Sequence, residues 1–176
     1  MLKDIREQFK GKFTLEQVNE LEKMENELLH FSQFNSEMAL EIGNKIVECS
    51  KEYNEDVVVR IIRQSDDLII FQYAGNTMKE RNYSFAMGKY NTVKKTKHCS
   101  LWALAHDGVY GNLDDVYQED SGCLPAAGAF PIFVNDEMMA IITTSGLHNG
   151  NDYEVVARAL AQYENKKIPE YSGIRV

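Results

Sequence analysis

Three absences narrow the field before any motif is considered. The chain has only three cysteines, Cys49, Cys99 and Cys123. They form no CxxC pair and their count is odd, which argues against a disulfide framework or a zinc site. Positive charge is also scarce. Nineteen Lys and Arg stand against 27 Asp and Glu, for a formal net charge of −8. Nucleic acid and anionic membranes both select basic surface, so neither is expected as the main partner. A small anion held by one local cation remains compatible with this balance. Long hydrophobic runs are missing too. No apolar stretch approaches the ~18 residues of a membrane helix, and the N-terminus, MLKDIREQFKGKF, is charged from the start. The expected setting is a soluble, reducing compartment, the cytoplasm.

What remains is an ordinary globular composition. Over 176 residues, 44% are apolar and 26% charged, enough for one domain with a real core. The chain reads as a single domain over 1–176, with an N-terminal arm at 1–13 and an extended tail at 165–176.

Thr14 opens the first strong helical pattern, with Gln17 where a capping box requires it. Leu15, Val18, Leu21, Met24 and Leu28 recur at helical spacing. The segment 28–34 is ambiguous. Asn35 or Ser36 caps a second helix, whose inner face holds Ala39, Ile42, Gly43, Ile46 and Val47. Gly43 costs about 1 kcal/mol against Ala within a helix, which suggests close packing there. VVVRII (57–62) and LIIFQY (68–73) flank Gln64-Ser65-Asp66-Asp67 and read as an antiparallel hairpin. A helical region follows from about Met78 to Lys97, interrupted by Gly88. CSLWALA (99–105) is either a strand or more helix. His106 to Ala127 reads as a long connection, of the kind that covers a site or forms an interface.

The run AAGAFPIFVNDEMMAIITTSGLHNGNDYEVVARAL (126–160) is the best organised part. It reads as strand, Asn135-Asp136 turn, strand, small-residue loop and helix. Pro131 places its strand at an edge or a strand end. Asn151 is the expected N-cap, with Glu154 at N3 and Asp152 in the first turn. Hairpins in series, rather than βαβ alternation, indicate an α+β fold.

Chemistry-bearing residues are few. Thr144, Ser145 and Gly146 offer hydroxyls and close backbone approach, although Gly and Ser more often mark turns. Lys89 and Asn91 lie in the one basic stretch, KYNTVKKTKH, and are suited to pairing with a carboxylate. The four histidines, His30, His98, His106 and His148, match no metal motif. Adjacency of His98 and Cys99 does not make a catalytic dyad, since neighbouring residues point apart. His98 or His106 as a single haem ligand remains open, because haem needs only one such donor.

As a set, GAFPIFV, an aliphatic strand, TTSGL, a polar loop and DYEVVARAL resemble the HbpS-like family, whose domain is also called haem-degrading. ELLHFSQFNSEMALEIGNKI, the 57–73 hairpin and Lys89-Tyr90-Asn91-Thr92-Val93 extend the resemblance across 27–164, closest to its small stand-alone cytoplasmic branch. The resemblance implies a profilin-like α/β/α sandwich, with a five-stranded antiparallel sheet and helices on both faces. It implies self-association as dimers or larger rings, and the binding of haem or a small organic anion. The ligand-binding set it suggests is Lys89, Asn91, Thr144, Ser145, Gly146 and Tyr153, with no metal site of the protein's own. A scaffold or adaptor without catalysis, and a haem-degrading or other redox enzyme, are the alternatives. Two departures stand out. Met87 and Gly88 replace arginines usual in that branch, and Tyr153 replaces a histidine, leaving a phenol that is itself able to ligate ferric haem.

Overall fold

A computed structural model describes all residues, 1–176. The elements in order are α1 (Leu2–Phe9), α2 (Leu15–Leu28), β1 (His30–Phe31), α3 (Ser36–Ser50), a 3-10 turn (Lys51–Tyr53), β2 (Val58–Arg63), β3 (Ile69–Ala74), α4 (Glu80–Thr96), α5 (Ser100–Tyr110), β4 (Ala129–Val134), β5 (Glu137–Ser145) and α6 (Asn151–Tyr163).

Local signals place most of these. Thr14 Oγ1 accepts from Gln17 N at 3.2 Å, and Gln17 Oε1 accepts from Thr14 N at 3.0 Å, completing the capping box of α2. Asn35, rather than Ser36, caps α3 by accepting from Met38 N at 2.9 Å. Asn135 and Asp136 both take positive φ, 50° and 63°, as a tight turn between right-twisted strands requires. The arm contains a helix of its own, α1, and CSLWALA belongs to helix α5. The long connection therefore starts at Gly111 rather than His106.

The five strands form one sheet in the order β1-β4-β5-β2-β3. It is mixed, which corrects the expectation of a purely antiparallel sheet. β1 runs parallel to β4, pairing His30 with Phe133 and Phe31 with Val134. β1 is a two-residue stretch between helices α2 and α3, so no hairpin turn dictates its direction. It reaches β4 only at Phe133 and Val134, so Pro131 sits where β4 is still an edge. A second correction concerns α6. Its N-cap is Gly150 in the left-handed region, φ 70°, and Asn151 lies inside the first turn. An Arg175 carbon lies 2.2 Å from where a Cβ on Gly150 would stand, so the tail leaves room only for glycine.

Helices cover both faces. α3 packs on β2 and β3 beside α6, and α2 and α5 complete the same large core. α4 lies alone on the opposite face, against β2, β4 and β5, over Ile62, Ile141 and Ala129. No helix is long and apolar enough to cross a membrane.

Gly43 is held by close packing. A Cβ there would fall 2.5 Å from the Phe71 ring. Gly43→Ala gains about 1 kcal/mol of helix propensity but overpacks against Phe71, at a cost of about 1–3 kcal/mol. A lowered denaturation midpoint is expected in urea titration; a midpoint raised by the full helix-propensity gain would refute the packing argument.

Candidate functional site

Lys89 is the one lysine withdrawn from solvent, 5% exposed, on the sheet-facing side of α4. Its ammonium passes the end of β4. Nζ donates to Thr144 O and to Asp152 Oδ2, both at 2.9 Å. Asp152 stands in the first turn of α6 and is 5% exposed. Its other oxygen accepts from Leu147 N at 3.2 Å. Thr144 Oγ1 donates to Gly128 O at 2.8 Å. Gly128, at φ 129°, is pressed so closely that a Cβ would meet Thr144 O at 2.8 Å and Asp152 Cβ at 2.9 Å. One buried cluster thus joins α4, the start of β4, the end of β5 and the start of α6.

The six residues singled out from the sequence take different places. Lys89 and Thr144 meet in this cluster. Asn91 donates to Gly122 O at 2.8 Å, pinning the long connection to α4. Ser145 is buried on β5 opposite Val58. Tyr153 is 1% exposed, packed against Phe130 and Tyr171, and its hydroxyl has no partner. Burial pushes its phenol far above the usual tyrosine range. Gly146 alone lines the large cleft.

Gly88 has a packing reason. A Cβ there would lie 2.7 Å from Leu124 Cβ, and Leu124 N donates to Gly88 O at 2.8 Å. The long connection lies directly on α4 at this glycine.

The histidine and cysteine candidates are largely committed. His98 Nδ1 lies 2.8 Å from Glu25 Oε1 and its ring stacks on Trp102, which stacks on His106. His106 bonds Asn112, and burial lowers its pKa. Cys99 is fully buried, and desolvation pushes its thiol well up, the reverse of an activated nucleophile.

The cleft, about 740 Å³, opens where the 3-10 turn, the β3–α4 segment, the first turn of α4 and the β5–α6 loop converge. Lys51, Lys79 and Arg81 line it, and none has a carboxylate within ion-pair distance. Two carboxylates, Glu55 and Asp56, line it as well, so the three cations leave the lining one positive charge in excess in a chain of net charge −8. His148 also lines it, with Nδ1 against Glu55. Asp56 is occupied: Thr77 N and Oγ1 donate to it at 2.7 and 2.6 Å, holding its carboxyl below the usual range. Gly146, at φ 130°, forms the floor; a Cβ would meet Asp56 O at 2.6 Å and Met78 Sδ at 2.9 Å. The sequence reading missed the cations because they come from segments far apart in the chain, and only their convergence gives them meaning.

Removing one partner of the buried pair strands the other. Lys89→Met and Asp152→Asn are each expected to cost about 3–5 kcal/mol of stability. The double variant should cost clearly less than the sum. Additive costs in denaturant titrations would show that the two side chains are not coupled.

Several solved structures share this architecture. Ybr137w aligns with a TM-score of 0.74 at 22% identity, over 84% of this chain and 87% of that one. A double mutant of HbpS from Streptomyces reticuli aligns at 0.60 and 19% identity, over 78% and 90%. A PduOC:heme complex aligns at 0.57 and 14% identity, over 73% and 92%. At these identities the likeness is one of fold. The family described as haem degrading protein HbpS-like matches residues 34–161, from the linker before α3 to the last turn of α6, and the chain belongs to that family.

Proposed function

We propose that this protein binds a small organic anion in the cleft beside Gly146 and works as a self-associating binding protein. The observation that carries this reading is the trio of unpaired cations, Lys51, Lys79 and Arg81, on one concave polar surface of an otherwise acidic chain. Of the set suggested by sequence, Gly146 would touch the ligand, while Lys89, Thr144 and Ser145 hold the strand end beneath it. Asn91 and Tyr153 lie with other elements, the long connection and the main core.

Haem is the candidate that the family description and the PduOC:heme complex bring forward. The cleft meets it in part. His148 offers a ring nitrogen, Met78 a thioether, and the cations would suit propionates. The walls do not suit the macrocycle, because Met78 is the only hydrophobic side chain lining them. A porphyrin's apolar faces need an apolar slot. The residues therefore favour a compact, hydrophilic anion. The mixed sheet with helices on both faces supports the profilin-like reading of the fold. Three free, buried thiols suit a reducing compartment. Exposed Leu40, Ile69 and Tyr73 support self-association.

Thermal shift against a panel of di- and tricarboxylates and phosphate esters tests the reading. A ligand at 100 times its Kd adds about 2.7 kcal/mol. Saturable stabilisation that falls at least tenfold in apparent affinity in Arg81→Ala is expected. Haemin titration should give no stoichiometric Soret shift. A saturable Soret shift, or anion stabilisation equal in wild type and Arg81→Ala, would overturn the reading.

A further inference from the structure

An anion site built on charge alone would leave carboxylates out of its lining, and the cleft beside Gly146 has two. Neither Glu55 nor Asp56 pairs with Lys51, Lys79 or Arg81. Glu55 Oε2 is taken by His148, and Asp56 Oδ2 accepts from Thr77 N and Oγ1. Each carboxylate keeps its other oxygen, Oε1 and Oδ1, without a donor from the protein.

Two amides extend the inventory. Asn82 Oδ1 accepts from Lys79 N at 3.0 Å, which leaves its Nδ2 as a free donor. Asn54 ends the 3-10 turn at φ 52°, and its amide, with no hydrogen bond inside the protein, offers a donor and an acceptor. The cleft, about 740 Å³, is also far larger than a bare oxyanion needs. Hydroxyl groups answer this mixture. They donate to carboxylates in charge-assisted bonds and accept from amides. They also add no charge to a lining with only one positive charge in excess. An ammonium would suit the carboxylates too, but it would enter a lining that is already cationic overall.

We propose that the ligand is a polyhydroxylated anion of the sugar-acid or sugar-phosphate class, with its anionic group on the cations and its hydroxyls on Glu55, Asp56 and Asn54. The inference rests on the anion reading of the cleft and names the class of ligand. The planar fork of Arg81 suits a carboxylate or a phosphoryl group alike. One excess charge facing water gives little affinity by itself, so the hydroxyl contacts carry the discrimination.

Calorimetric titration of the full chain at low ionic strength compares matched ligands. Gluconate and hexanoate share chain length and charge and differ in their hydroxyls. Glucose 6-phosphate and inorganic phosphate make the same comparison for a phosphoryl group, so the two arms separate the two sources. In the arm that binds, the hydroxylated ligand should bind at least about tenfold tighter. Glu55→Ala supplies a test of sign. Were charge the only grip, removing a carboxylate would tighten every anion. Hydroxyl recognition predicts that the hydroxylated ligand weakens about tenfold, while hexanoate and inorganic phosphate hold or gain. Asn54→Gly keeps the left-handed backbone and should likewise weaken only the hydroxylated ligand. Circular dichroism controls for folding of both variants. Hexanoate or phosphate equal to its hydroxylated counterpart, glutamate tighter than gluconate, or a hydroxylated ligand tightened by Glu55→Ala overturns the inference and leaves the anion reading standing. No saturable binding of any anion overturns both.

Discussion

The ion pair between Lys89 and Asp152 ties the two faces of the sheet together. α4 lies on one face and α6 on the other, and the Lys89 side chain crosses at the end of β4, where Thr144 O lies beyond the last β4 pair. Burying two charges costs several kcal/mol of desolvation each, so such a pair persists only when geometry is good and remaining hydrogen-bond capacity is met. Here Asp152 also accepts from Leu147 N, and Thr144 closes onto Gly128. The consequence is positional. The cluster fixes how β5 turns into α6, and that turn carries Gly146 and His148 into the cleft.

The cleft and the cluster use charge in opposite ways. Lys89 is withdrawn from water and matched to a carboxylate. Lys51, Lys79 and Arg81 are exposed and unmatched. An exposed cation gains little from an ordinary surface partner, so leaving these three unpaired costs the fold little and keeps them free for a ligand. Apart from His148, the residues that chemistry would ordinarily recruit lie elsewhere and are locked. Glu25 holds both His98 and the Cys99 amide, Cys99 is fully buried, and Tyr153 is enclosed by Phe130 and Tyr171.

What the sequence made legible was local. Thr14 with Gln17, Asn35 before α3, and Asn135-Asp136 between strands each act through backbone groups a few residues away. Gly43 was legible as a packing position, because only close approach justifies glycine inside a helix, and Phe71 provides it. The direction of β1 was not legible, since a two-residue strand between helices carries no turn signal. Asn151 looked like the cap of α6, but the tail at Arg175 crowds the preceding position and selects Gly150. Lys89 was read as a cation suited to a carboxylate. The carboxylate is Asp152, 63 residues further on, and nothing in either local pattern links them. The cleft was hidden for the same reason, since Lys51, Lys79, Arg81 and His148 converge only through the fold.

The proposed site for a small anion is the cleft beside Gly146. Backbone amide shifts recorded during titration with citrate at low ionic strength test it most directly. Saturable perturbations confined to 51–56, 77–82 and 146–148 are expected. Perturbations centred on Tyr153 or the Trp102 stack, or none that saturate, would contradict it.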